Sequence, residues 1–133
     1  MGITQRDNGS HALGGLTISS LTLNGTRLTG GVQELTASGA VTAYTQSVEL
    51  NHATVAVEAT IADLAAHPGL LVIKDTSASG TAAHTVTATA GTFDGTNNKV
   101  TLNAPNECIM VYIDSAGNGT IVENVGSVAL ASV

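Results

Sequence analysis

The residues able to do chemistry are few: four histidines (His11, His52, His67 and His84), one cysteine (Cys108) and ten carboxylates. Nucleophilic catalysis needs a nucleophile held against a base. The chain has no G-x-S-x-G elbow, and Cys108 has no histidine near it in sequence. The histidines form no H-x-x-x-H pair, and a lone cysteine completes no zinc set at any familiar spacing. Each histidine is therefore expected in a turn or on the surface, with no metal and no cofactor. "DGTNN" and "DSAGNG" gather oxygen atoms in short spans, as a calcium loop does. Neither fits the D-x-[DN]-x-[DN]-G pattern, and Asp, Asn and Gly are also the residues that tight turns select. Asp94 and Gly95 are accordingly read as a structural turn. Neither lysine stands in a G-K-[ST] phosphate cradle. The carboxylates are scattered rather than paired for acid–base work on sugars. Flat aromatic faces for a glycan are limited to Tyr44, Phe93 and Tyr112.

Bulk properties narrow the class further. A chain of 133 residues fits one domain. Its hydrophobic content of 43% includes much Ala and Val, with 2% aromatic residues and no Trp. Such a core buries little apolar area per residue at about 25 cal/mol per Å², so burial in a subunit interface, hence a homo-oligomer, is expected. The net charge is -6, and the basic residues are four: Arg6, Arg27, Lys74 and Lys99. No basic stripe exists to neutralise phosphates, which argues against nucleic acid and anionic membrane as partners. Cys108 can form no disulfide within the chain, and its run "CIMVYI" predicts a buried, inert thiol. The N-terminal "MGITQRDNGSHALGG" has no apolar signal core, and no run approaches the ~20 residues of a membrane span; a soluble protein made in a cytoplasm is expected. The sequons at Asn8, Asn24 and Asn118 are read as turns.

The elements that must position these residues are strands. Period-two alternation bounded by turn residues recurs along the chain. "TVAVEATI" sets Val55, Val57, Ala59 and Ile61 on one face and Thr54, Glu58 and Thr60 on the other. "HTVTATA" puts Val86, Ala88 and Ala90 inward, and "CIMVYID" aligns Ile109, Val111 and Ile113. "LTLNGTRL" reads as a hairpin with Asn24 and Gly25 at its tip and Leu21 opposite Leu28. Further turns are expected near Asn51-His52, at Asp94-Gly95 and within "DSAGNGT". "IADLAAHPG" holds one or two helical turns ended by Pro68-Gly69. "GLLVIKD" reads as a strand buried on both faces. The expected fold is all-β, a β-sandwich or jelly-roll-like barrel of short antiparallel strands. Residues 1–15, polar and Gly-rich, form an expected N-terminal arm, and residues 16–133 a single β domain.

Residues 67–124 resemble a recurring module of bacteriophage virion proteins. The matching features are Pro68-Gly69, Ile73-Lys74-Asp75, the "TSASGTA" loop, "HTVTATA", Gly91-Thr92-Phe93-Asp94-Gly95, "KVTL" and "IMVYIDSAGNG". The Ala/Thr/Val-rich lead from residue 34 extends the resemblance upstream. The family often places a Trp after the final turn, where this chain has "NGTIVEN". Such modules occur in tail-fibre and knob proteins and in small proteins that coat capsids.

The resemblance implies a non-enzymatic structural protein of the virion. The brief arm and the absence of a shaft favour a capsid decoration (cement) protein on the outside of the head. Its expected partners are the major capsid protein and further copies of itself, most plausibly as a trimer. Ile3, Arg6, Leu13 and Leu16 of the arm are the candidate capsid contacts. The alternative is a tail-fibre or spike module that binds host-surface glycan, against which the scarcity of aromatics argues.

Overall fold

The computed structural model describes residues 21–23, 26–28, 31–78, 80 and 82–133. The arm residues Ile3, Arg6, Leu13 and Leu16, and the turn pair Asn24 and Gly25, lie outside the described residues. Strands β1 (Leu21–Leu23) and β2 (Thr26–Leu28) pair antiparallel with Leu21 opposite Leu28, the register expected of a hairpin. The remaining strands build two sheets packed face to face, an all-β sandwich.

From β3 (Val32–Leu35) the chain changes sheet after every strand. It passes through β4 (Gly39–Ala40), β5 (Ser47–Leu50), β6 (Glu58–Ile61), β7 (Gly69–Asp75) and β8 (His84–Ala88). Each strand therefore lies beside the one two places earlier and runs parallel to it: β3 with β5, β5 with β7, β4 with β6, β6 with β8. A parallel pair needs a crossover connection; here a strand of the opposite sheet supplies it. The pattern stops at Asp94-Gly95, where the chain reverses within one sheet and lays β9 (Lys99–Leu102) antiparallel on β8. Strands β10 (Cys108–Ile113) and β11 (Gly119–Val125) form an antiparallel hairpin beside β7, and β12 (Ala129–Ala131) closes the other sheet against β9. The strand orders are β11-β10-β7-β5-β3 and β12-β9-β8-β6-β4. Antiparallel strands throughout were expected, whereas both sheets are mixed. Alternation reports which face is buried and carries no information on strand direction.

The core lies between the sheets. Val48, Leu50, Leu71, Ile73, Ile109 and Val111 face it from one side, and Ala59, Ile61, Val86, Ala88, Val100 and Leu102 from the other. Phe93 is the largest fully buried side chain and plugs the end near the β10–β11 turn. Truncating such a ring to Ala costs about 3–5 kcal/mol. The helical expectation over "IADLAAHPG" resolves as one 3-10 turn, Leu64–Ala66, capped by Asp63, whose Oδ1 accepts from Ala65 N at 2.9 Å. Its buried Leu64 joins the core.

Three strand readings are corrected. Val55 is 58% exposed, because residues 53–55 bend before β6 begins at Glu58. Ala90 is exposed, because β8 ends at Ala88. "GLLVIKD" is buried on one face only, with Leu71, Ile73 and Asp75 inside and Leu70 outside. No helix among the described residues is long and apolar enough to cross a membrane.

Candidate functional site

Each histidine among the described residues bonds the main chain through one ring nitrogen. His52 Nδ1 accepts from Thr54 N and Val55 N, closing the bend after β5. His67 Nδ1 donates to the Thr45 carbonyl at 2.7 Å. His84 Nδ1 accepts from Val57 N at 3.0 Å, tying the β5–β6 connection to the first residue of β8. His67 and His84 are buried, at 3% and 0% exposure; His67 lies in the bend that caps the 3-10 turn, whereas His84 stands on β8, which corrects the turn-or-surface expectation for it. His11 lies outside the described residues.

His84 belongs to a buried polar cluster with Asp75 and Ser77. The alternation that points Leu71 and Ile73 inward from β7 points Asp75 inward as well, and the alternation of β8 does the same for His84. His84 Nε2 stands 3.9 Å from Asp75 Oδ1, with both side chains fully buried. Asp75 Oδ1 accepts from Ser77 N at 2.8 Å. Among the described residues, Asp75 Oδ2, Ser77 Oγ and His84 Nε2 have no hydrogen-bond partner. Asp, His and Ser are the members of a hydrolytic triad, but the arrangement differs from one. A triad histidine uses one nitrogen for the carboxylate and the other for the serine. Here Nδ1 is taken by Val57 N, so a neutral ring carries its proton on Nε2, which faces the carboxylate. No ring nitrogen remains to activate Ser77, and all three side chains are sealed from solvent. The cluster has a structural use: His84 holds the β5–β6 connection through Val57 N, and Asp75 holds the β7–β8 connection through Ser77 N.

The two Asp-Asn-Gly turns use one device. Asp94 Oδ1 accepts from Thr96 N and Asn97 N, and Oδ2 accepts from Asn97 Nδ2. Gly95 takes the positive φ of 85° that the turn requires. Asp114 Oδ1 accepts from Ala116 N and Asn118 N, and Oδ2 from Asn118 Nδ2. Hydrogen bonds from Asn97 and Asn118 hold the respective carboxyls below their ordinary range. Both carboxylates thus point into their own turns, as the structural reading expects. Among the described residues no three His, Cys, Asp or Glu side chains gather as a metal site.

Glu107 was not singled out in the sequence. It is 3% exposed and joins two loops: Oε2 accepts from Asn103 N and Ala104 N, and Oε1 from Ser127 N and Ser127 Oγ. Burial alone would push this carboxyl up, but the four hydrogen bonds outweigh it and hold the group below its ordinary value. The only advance sign is its place in the "NAPNEC" loop.

The two outward faces of the sandwich differ. On the β4–β6–β8–β9–β12 sheet, one row across the strands reads Glu58, Thr85, Thr101, Ala129, and the next reads Thr60, Thr87, Lys99, Ala131. That face is small and polar. On the other sheet, a central row reads Val32, Ser47, Val72, Met110, Glu123, and Leu70 lies opposite Tyr112 in the row beyond. Val32, Leu70 and Tyr112 are 65%, 41% and 53% exposed. The flanking row on the opposite side is charged: Glu34, Glu49, Lys74, then Cys108 and Val125. Cys108 is half-buried on this outer face rather than within the core, because its neighbours Ile109 and Val111 take the inward positions. Burial pushes its thiol up, Lys74 opposes that, and Glu123 adds to it. No protein-family model matches the chain, and no curated protein matches it significantly.

Proposed function

We propose that this chain is a non-enzymatic structural protein of a bacteriophage virion: a capsid decoration protein that binds the outside of the assembled head and stabilises contacts between major capsid protein subunits. The observation that carries this reading is the contrast between the two outward sheet faces. One is a small, polar array of Thr and Ala with Glu58 and Lys99, and the other exposes Leu70, Tyr112 and Val32 around Val72 and Met110. Contiguous apolar surface on a small domain marks a contact site. The resemblance of residues 67–124 to phage virion modules supports the assignment. So does the use of the Asp, Glu and His chemistry to fix turns and loops.

Mechanistically, a rigid β module that binds only the expanded lattice stabilises that lattice by mass action. The arm residues Ile3, Arg6, Leu13 and Leu16 are proposed to add contacts with the capsid, and a homotrimer is the proposed assembly. The test is decoration itself. Purified protein should bind undecorated expanded heads saturably and raise the temperature at which they release DNA. Protein lacking residues 1–12 should remain folded and lose binding. Retained binding by the truncated protein would remove the arm from the interface, and binding to host-surface polysaccharide in place of heads would move the protein to the tail.

A further inference from the structure

Resting on the decoration reading, we infer that the outward face of the β3–β5–β7–β10–β11 sheet is the docking surface, and that it takes a protein surface of exposed apolar side chains flanked by Lys or Arg. Three features point there. The centre of the face is apolar: Leu70, Val72, Met110 and Tyr112 occupy adjacent positions on the two neighbouring strands β7 and β10. These are strands in the middle of the sheet, so the patch is presented on rigid backbone. Tyr112, an amphipathic ring half exposed on that backbone, is the residue type that anchors interfaces at little entropic cost.

The charges select the occupant. Glu34 and Glu49 stand side by side in register on β3 and β5, Lys74 follows on β7, and Glu123 lies opposite Met110 on β11. Among the described residues the face therefore carries three carboxylates against one lysine. Like charges placed side by side on adjacent strands repel, and Asn51 Nδ2 donates to only one of the pair, Glu34, at 2.6 Å. A second copy stacked on it face to face would bring the same carboxylates against this face. A partner with basic side chains beside an apolar patch relieves the repulsion and covers the patch at once. Electrostatic complementarity of this kind sets partner choice and association rate more than affinity.

The experiment pairs two surface variants with one control. Leu70→Ala/Tyr112→Ala truncates the apolar centre, Glu34→Lys/Glu49→Lys reverses the acidic row, and Thr85→Ala/Thr101→Ala alters the opposite face. Each is checked for an unchanged unfolding midpoint, then titrated onto undecorated expanded heads at low and high salt, with sedimentation velocity on the free protein. The apolar variant should lose about tenfold or more in affinity. The charge reversal should weaken binding and invert its salt dependence, because salt then screens a repulsion, and the control should bind as the wild type does. Wild-type-like binding by both face variants overturns the assignment while leaving decoration intact. So does an oligomer that the face variants dissociate, since a second copy would then occupy the face. Wild-type protein that leaves heads bare removes the decoration reading and this assignment together.

Discussion

His84 Nε2 lies 3.9 Å from Asp75 Oδ1 with both side chains fully buried, and each side chain holds a different loop by its main chain: Val57 N on His84, Ser77 N on Asp75. The pair thus joins the β5–β6 and β7–β8 connections, two of the longer loops in the parallel half of the fold.

Substitutions at Asp75 separate the hydrogen bond made by Oδ1 from the rest of the side chain. Asp75→Asn keeps an oxygen for Ser77 N and replaces Oδ2, which has no partner, so stability should change by less than about 1 kcal/mol. Asp75→Ala strands a buried N–H and should cost about 1–3 kcal/mol. Denaturant unfolding midpoints of the two variants check this. Equal losses in both would mean that the hydrogen bond from Ser77 N is not what Asp75 contributes.

Acid should destabilise the protein. The carboxyls of Asp94, Asp114 and Glu107 are all held below their ordinary values in the folded state. A carboxyl depressed on folding contributes stability that is complete above its unfolded pKa and disappears as pH falls through its folded pKa. The stability these three carboxyls contribute should be complete above about pH 5 and fall below about pH 4. Denaturant midpoints measured across pH should show the fall, and Glu107→Gln should flatten its slope.

Gly119 opens β11 where the chain passes the end that Phe93 plugs. A Cβ there would stand 2.5 Å from the Phe93 carbonyl oxygen and 2.7 Å from that of Thr92. Backbone cannot swing aside as a side chain does, so Gly119→Ala should cost about 1–3 kcal/mol. Thermal unfolding of this single variant is the check, and an unchanged midpoint would contradict the close approach.

The thiol of Cys108 should react with iodoacetamide more slowly than an ordinary cysteine at neutral pH, because burial and Glu123 raise its pKa against the pull of Lys74. On decorated heads it should be protected further, since it lies on the outward face assigned to docking. Alkylation followed by mass spectrometry reads both rates, and equal rates free and bound would place the contact elsewhere.

The parts of the fold legible in the sequence are those encoded locally. The alternation in "HTVTATA" and "CIMVYID" gave Val86 and Ala88 of β8 and Ile109, Val111 and Ile113 of β10, and Asp94-Gly95 announced its turn. Parallel pairing was not legible, because β5 and β7 are joined through a strand of the other sheet and no local residue reports that. Leu70 and Val72 looked like core because a continuous apolar run has the same composition whether its second face meets protein or solvent. Asp75 and His84 could have been recognised as buried by extending the alternation of Leu71 and Ile73, or of Val86 and Ala88, by one more step. The apolar docking face was hidden in the run "CIMVYI", where inward Ile109 and Val111 alternate with outward Met110 and Tyr112.

The most direct measurement is co-sedimentation of the purified protein with undecorated, expanded phage heads, beside a panel of host-surface polysaccharides. A decoration protein binds the heads saturably, at a fixed number of copies per capsid subunit, and leaves the polysaccharides in solution. Heads that sediment bare at saturating protein would contradict capsid decoration as the function.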